Sequence, residues 1–171
     1  MVRGAVLAIC ALLPACGYAP VGGKGAFGPE VRTIELEAFA NKTREPGLEQ
    51  MVADAMAEEF ERRGWLDPTL QGQVANPDLV MHGVLESVTV RSSSYSAGGF
   101  ALEEALDVTF DVNVRRSSSG ELLYDHPDFR IHDVFLSSAD PMVYASNKEQ
   151  ALRRISSEIA ARVHDELFQR F

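Results

Sequence analysis

Between Leu106 and Arg115 the chain alternates without a break. Leu106, Val108, Phe110, Val112 and Val114 are interleaved with Asp107, Thr109, Asp111, Asn113 and Arg115. Successive side chains of a strand point to opposite faces, so this segment has one wholly apolar face and one wholly polar face. Such a strand belongs to a sheet that is packed on one side and wet on the other, as antiparallel sheets commonly are. The remainder of the chain must supply what covers the apolar side.

Two helical stripes answer that need. Leu48, Met51, Val52, Ala55, Met56 and Phe60 recur at helical spacing, with Pro46 placed for the first turn and Gly64 for the stop. Arg62 and Arg63 suit the negative end of that helix, and Glu58–Arg62 and Glu59–Arg63 are spaced as ion pairs on its wet side. Leu152, Ile155, Ile159, Val163 and Leu167 form the second stripe behind a capping box, Ser146 to Glu149. Arg154, Glu158, Arg162, Glu166 and Arg170 alternate in sign, which predicts a solvated face laced with ion pairs. Trp65 reads as a lid on the core.

The remaining strands are less regular. Val31 to Phe39 alternates with Ile34, Leu36 and Ala38 on one face, and the turn Asn41 to Arg44 follows. Residues 67–77 carry two prolines and read as a loop. Asp78 to Arg91 reads as a strand apolar on both phases, so that either both faces are partly covered or Gly83 marks a bulge, and Arg91 to Gly99 reads as a flexible connection. Ser117 to Gly120 is a hairpin turn, and Glu121 to Val134 returns beside its neighbour, with Pro127 placing it at an edge or a bulge. The order β-α-β-β-β-α predicts an α/β (α+β) two-layer sandwich, with both helices on one face of a four-stranded mixed sheet and the other face open. Parallel pairing is allowed in the first strand–helix–strand unit and hairpins follow it.

The N-terminus sets the compartment. Arg3, an apolar run from Ala5 to Leu13 and a small residue at Ala15 describe a secretory signal, and the run is too short to span a bilayer, which needs ~20 apolar residues. Cys16 directly after Ala15 makes the segment resemble a bacterial lipoprotein signal, which implies lipid attachment at Cys16 and removal of residues 1–15. Gly17 in the next position implies sorting to the outer membrane of a Gram-negative bacterium, on its periplasmic side. Residues 16–30, rich in Gly and Pro, then form a flexible tether, and residues 31–171 one domain. Of the two cysteines only Cys16 survives cleavage, so no intramolecular disulfide is possible. The formal charge of −9 becomes −10 once Arg3 is lost, which argues against nucleic acid as a partner. The membrane contact written in the sequence is the lipid.

Several stretches together resemble the LptE family of lipopolysaccharide-assembly lipoproteins. They are Cys16-Gly17-Tyr18, Arg32-Thr33-Ile34, Phe39 to Glu49, Glu58-Glu59-Phe60, Arg63-Gly64, the hairpin Ser119 to Tyr124 and the final helix. The resemblance implies a non-catalytic plug for the outer-membrane β-barrel LptD, which assists barrel assembly and the last transfer of lipopolysaccharide to the cell surface. A porin-type barrel has a polar lumen, and Asp107, Thr109, Asp111, Asn113 and Arg115 form the polar face suited to it. Lipopolysaccharide contact, which the resemblance also suggests, needs cations for phosphates and acidic sugars, and Arg91 with Tyr95 and Arg130 are the candidates. The first strand and the Phe-x-Asn-x-Thr turn are also similar to ring-forming export lipoproteins of the CsgG- and PelC-like families.

Catalytic signatures are lacking. His82, His126, His132 and His164 show no metal-ligand spacing, and His132-Asp133 has no second ligand nearby in sequence. The serine runs 92–94 and 117–119 sit in polar turns. An anchored hydrolase with a dispersed Ser/His/Asp set is the remaining enzymatic reading. The sequence predicts no enzyme, no cofactor and no metal.

Overall fold

The computed structural model describes residues 27–169. The signal segment, Cys16 and most of the tether therefore lie outside the described residues. In chain order the elements are β1 (Thr33–Leu36), β2 (Ala40–Asn41), α1 (Leu48–Arg63), β3 (Asp67–Leu70), β4 (Leu79–Tyr95), β5 (Ala101–Arg116), β6 (Leu122–Leu136) and α2 (Pro141–Gln169). The strands form one mixed sheet in the order β3-β1-β4-β5-β6, with β2 pairing β4 beyond the end of β1. β3, β1 and β4 run parallel, while β4, β5 and β6 are joined as antiparallel hairpins.

The two helices lie on one face of the sheet, as expected, but the sheet has six strands rather than four. The two additional strands are too short to carry an alternation. β2 is two residues long, and β3 falls in the stretch expected to be a loop and contains Pro68. Both are recruited by main-chain pairing to strands already in place. β4 runs through the expected flexible connection as far as Tyr95, and a tight turn closed by bonds between Ser96 and Phe100 leads into β5.

Gly83 is not the bulge. The register skips between Leu85 and Ser87, so Glu86 is the extra residue. This explains why β4 looked apolar on both phases. Leu79, Met81 and Leu85 face the core before the skip, and Val88 and Val90 pack against it afterwards. Gly83 is required for a different reason: a Cβ there would lie 2.6 Å from Cζ of Phe110 and 3.0 Å from Cδ1 of Phe39. Pro127 sits in β6, an edge strand, at a register irregularity beside Asp128, whose φ is +56°.

The stretch from Phe39 to Glu49 is organised by a single hub. The Asn41 carbonyl oxygen accepts from the Thr43 N–H (2.9 Å) and hydroxyl (2.7 Å), and its amide donates to the Glu45 carbonyl (2.9 Å) and the Glu49 carboxylate (2.5 Å). Lys148 of α2 meets Glu45 at 2.6 Å. Pro46 lies before the helix rather than in its first turn, because Gly47 (φ +84°) is the N-cap residue. α2 starts five residues before the expected capping box: Asp140 accepts the Met142 N–H at 2.8 Å, and Pro141 occupies the first helical position, where its missing N–H costs nothing.

The core lies between the layers. Val52, Met56 and Phe60 of α1 and Ile155, Ile159, Val163 and Leu167 of α2 meet Ile34, Leu36, Met81, Leu106, Val108, Phe110, Val114 and Ile131. Lys148–Glu45 near the helix starts and Arg63–Asp165 near their ends show that α1 and α2 run in the same direction. The expected ion-pair ladder on α2 is partial. Arg162 does bond Glu158, but Arg154 turns to Asp133 and Glu166 to Tyr124 and His126, so both tie the helix to β6. Phe27 is packed edge-on against Phe168 at 5.4 Å, and Arg116 donates to its carbonyl at 3.1 Å. The last residues of the expected tether are thus fixed at the end of the sheet where β1 and β4 begin.

Candidate functional site

The face of the sheet opposite the helices carries the polar half of β5. Asp107, Thr109, Asp111, Asn113 and Arg115 all lie on it, the first four half-buried by their strand neighbours and Arg115 exposed. Their register partners extend the face on both sides: Thr89, Asp107 and His132 form one row, Ser87, Thr109 and Arg130 the next, and His82, Asn113 and Asp125 another, while the β4 partners of Asp111 and Arg115 are Val84 and Val80. No described helix covers this face.

Within it Asp107 is the centre of a small network. Its carboxylate accepts from Arg91 of β4 and from His132 of β6 at 3.0 Å. The Arg91 guanidinium, more than the His132 ring, holds the Asp107 carboxyl below the usual carboxylate range. Thr89, Arg91, Thr109, Arg130 and His132 line a shallow depression around it, of about 350 Å³. Arg91 and Arg130 thus border one site although they lie on different strands. Tyr95 does not join them; it is 62 % exposed at the end of β4. Arg130 makes no hydrogen bond or ion pair among the described residues, whereas Arg91 is committed to Asp107. Thr89 and His132 complete the depression. Their signal was present in the alternation, but seeing it requires the cross-strand register.

The remaining clusters are structural. His126 and Tyr124 share Glu166 at 2.8 and 3.0 Å and join β6 to α2. His164 is fully buried among Phe60, Trp65 and Phe168, and neither ring nitrogen has a hydrogen-bond partner. Burial, and then the nearby Arg63 charge, push its pKa down to about 4, so the ring is neutral. Among the described residues no three His, Cys, Asp or Glu side chains converge as metal ligands, and no described helix is long and apolar enough to cross a membrane.

The family model for LptE, lipopolysaccharide assembly, matches residues 31–167. The chain belongs to the LptE family. This decides between the two lipoprotein families that its first strand and turn resemble, and makes the chain a lipopolysaccharide-assembly lipoprotein. No curated protein matches it by sequence. Solved structures share the fold at low identity. Protein XCC0632 from Xanthomonas campestris is 16 % identical with a TM-score of 0.52, over 83 % of this chain and 86 % of that one. Protein CT253 from Chlamydia trachomatis is 10 % identical with a TM-score of 0.52, over 80 % and 98 %. A putative lipoprotein from Caulobacter crescentus is 12 % identical with a TM-score of 0.52, over 76 % and 87 %. Within this LptE-family domain the long motif around Asn41 serves the fold, and the sheet face carrying Asp107 to Arg115 is left uncovered by the described helices.

Proposed function

We propose that this chain is anchored by lipid at Cys16 to the periplasmic side of the outer membrane and plugs an LptD-like β-barrel, assisting its assembly and the final transfer of lipopolysaccharide. One observation carries the reading: an open sheet face three strands wide, polar along β5 and interrupted on β4 by Val80 and Val84, with no described helix over it. Such a face hydrogen-bonds within a polar lumen without needing an apolar interface. The geometry of the anchor agrees. Phe27 sits at one end of the domain, and eleven residues from Cys16 reach at most ~40 Å. The β4–β5 hairpin points the other way, and β5 alone spans ~50 Å. The domain therefore stays beside its membrane. The depression around Arg91 and Arg130 supports a contact with lipopolysaccharide phosphates on the same face.

The test is photocrosslinking in the native host from Thr109, Asp111 and Asn113, with Glu158 on α2 as the opposite face. Capture of the barrel from the first three and not from Glu158 is expected. Capture from Glu158 alone would reverse the orientation and end the plug reading of this face.

A further inference from the structure

Among the described residues, apart from the two-residue β2, the sheet has three backbone edges, and they are not equally protected. The outer edge of β6 is guarded at its middle and at its end. Pro127 has no N–H, and the chain kinks at Asp128. Further on, the Val134 N–H donates to Asp133 at 2.8 Å, the Val134 carbonyl accepts from Arg154 at 3.1 Å, and the Leu136 carbonyl accepts from Asn147 at 2.9 Å. The outer edge of β3 is four residues long, contains Pro68, and has its Leu70 N–H taken by Gln73 at 3.1 Å.

The third edge belongs to β4. β1 covers it from Leu79 to Met81, and β2 at Val84 and Leu85. The Lys42 N–H bonds the Leu85 carbonyl at 2.9 Å, and the Lys42–Glu86 ion pair closes the row. From Ser87 to Tyr95 the strand is paired to β5 on one side. On the other side no described strand lies against it, and no described side chain bonds its main chain. The segment Ser87-Val-Thr-Val-Arg-Ser92 has no proline, no glycine, no acidic residue and no register shift, whereas shifts at Ser92/Ser94 and Ser94/Tyr95 break the strand beyond it. Natural edges usually carry such guards, because open N–H and C=O groups are a template for another strand.

We propose that the β4 edge from Ser87 to Ser92 is a strand-addition site, and that its occupant is an extended segment of the barrel partner. The proposal rests on the plug reading above. The occupant comes from a loop or arm, since strands in a closed barrel wall have their main-chain groups already paired. Side chains set its pattern. Val88 and Val90 are half-buried on the helix side, while Thr89 and Arg91 are exposed on the polar side. The incoming strand accordingly alternates, with apolar residues beside the valines and polar or acidic residues beside Thr89 and Arg91.

The experiment uses the full-length lipoprotein in its native host, with a photocrosslinking residue at positions 88, 89, 90, 91 and 92 in turn, and Val134 on the guarded edge as control. The expected result is a ladder: adducts on one segment of the barrel protein advance in step with the position of the probe, on both phases, and the control gives none. In the extracted complex, amide exchange between Ser87 and Ser92 should slow by about tenfold or more relative to the free chain. Adducts scattered over several segments of a co-purifying barrel overturn strand addition and leave the plug reading intact. Adducts to a second copy of this chain overturn the named occupant. Failure of any barrel to co-purify ends both readings.

Discussion

Asp78 and Thr33 hold each other through three hydrogen bonds. The Asp78 carboxylate accepts from the Thr33 N–H at 3.0 Å and its hydroxyl at 2.9 Å, and the Thr33 hydroxyl accepts the Asp78 N–H at 2.9 Å. The same carboxylate oxygen takes the Arg32 N–H at 2.9 Å. The contact closes the parallel β1–β4 pair at its first residues, where no ladder bond reaches.

Asp78→Ala is expected to destabilise the domain by about 1–3 kcal/mol, since it strands these donors. The bond from the Arg32 N–H, then those from Thr33, lower the Asp78 pKa. A lowered carboxyl pKa contributes stability that is complete above the unfolded value of about 3.9 and is lost as pH falls through the folded value. Urea midpoints measured from pH 7 to pH 3 should therefore show the gap between wild type and Asp78→Ala narrowing below pH 4. A gap that stays constant would remove the ionised carboxylate from the account.

Gly83→Ala is expected to cost about 1–3 kcal/mol through overpacking. The new Cβ lies within contact distance of two aromatic rings that are themselves packed edge to face, Phe39 and Phe110 at 5.7 Å. Phe110→Leu removes the nearer ring atoms. The double variant should therefore lose less stability than the sum of the two single ones, as a thermal or urea double-mutant cycle would report.

What the sequence made legible follows from length and period. β5 and the helical stripes carry five or more apolar positions in one phase, so their existence and their buried faces were readable. β3 was not, because four residues including Pro68 hold no period; neighbouring strands impose it. The phase change at Glu86 disguised β4, and Asp140-Pro141 is a better helix start than Ser146 only once α2 is seen to extend past α1. The polar face was readable from β5 alone. The meeting of Arg91 with Arg130 was not, because it depends on the register of three strands.

His164 makes the domain acid-sensitive in a defined window. Its folded pKa lies near 4, below the unfolded value of about 6.5. Between these values the unfolded chain binds a proton that the folded chain refuses, so stability falls as pH drops from 6.5 towards 4, by at most about 3 kcal/mol. Arg63, Arg62, Glu59 and Asp165 are the charges around the ring, and Glu59 and Asp165 oppose the shift. His164→Phe should flatten this part of the stability–pH curve. Trp65, 5.2 Å from the imidazole, supplies the fluorescence probe. An unchanged slope in the variant would assign the acid sensitivity elsewhere.

The final prediction concerns the depression on the open face. With a formal charge of −9, long-range forces repel an anionic lipid, so binding depends on local cations. Arg130 is free among the described residues, whereas Arg91 is neutralised by Asp107. In lipopolysaccharide pull-downs Arg130→Glu should therefore lose more binding than Arg91→Ala. Asp107→Asn should gain binding, because it releases Arg91 and removes the one carboxylate within the depression. All three effects should shrink as salt is raised, since exposed charges are screened within ~8–10 Å at physiological ionic strength. A charge reversal at Arg130 that leaves binding unchanged, together with no gain from Asp107→Asn, would exclude this depression as a lipid contact and leave the polar face to the barrel alone.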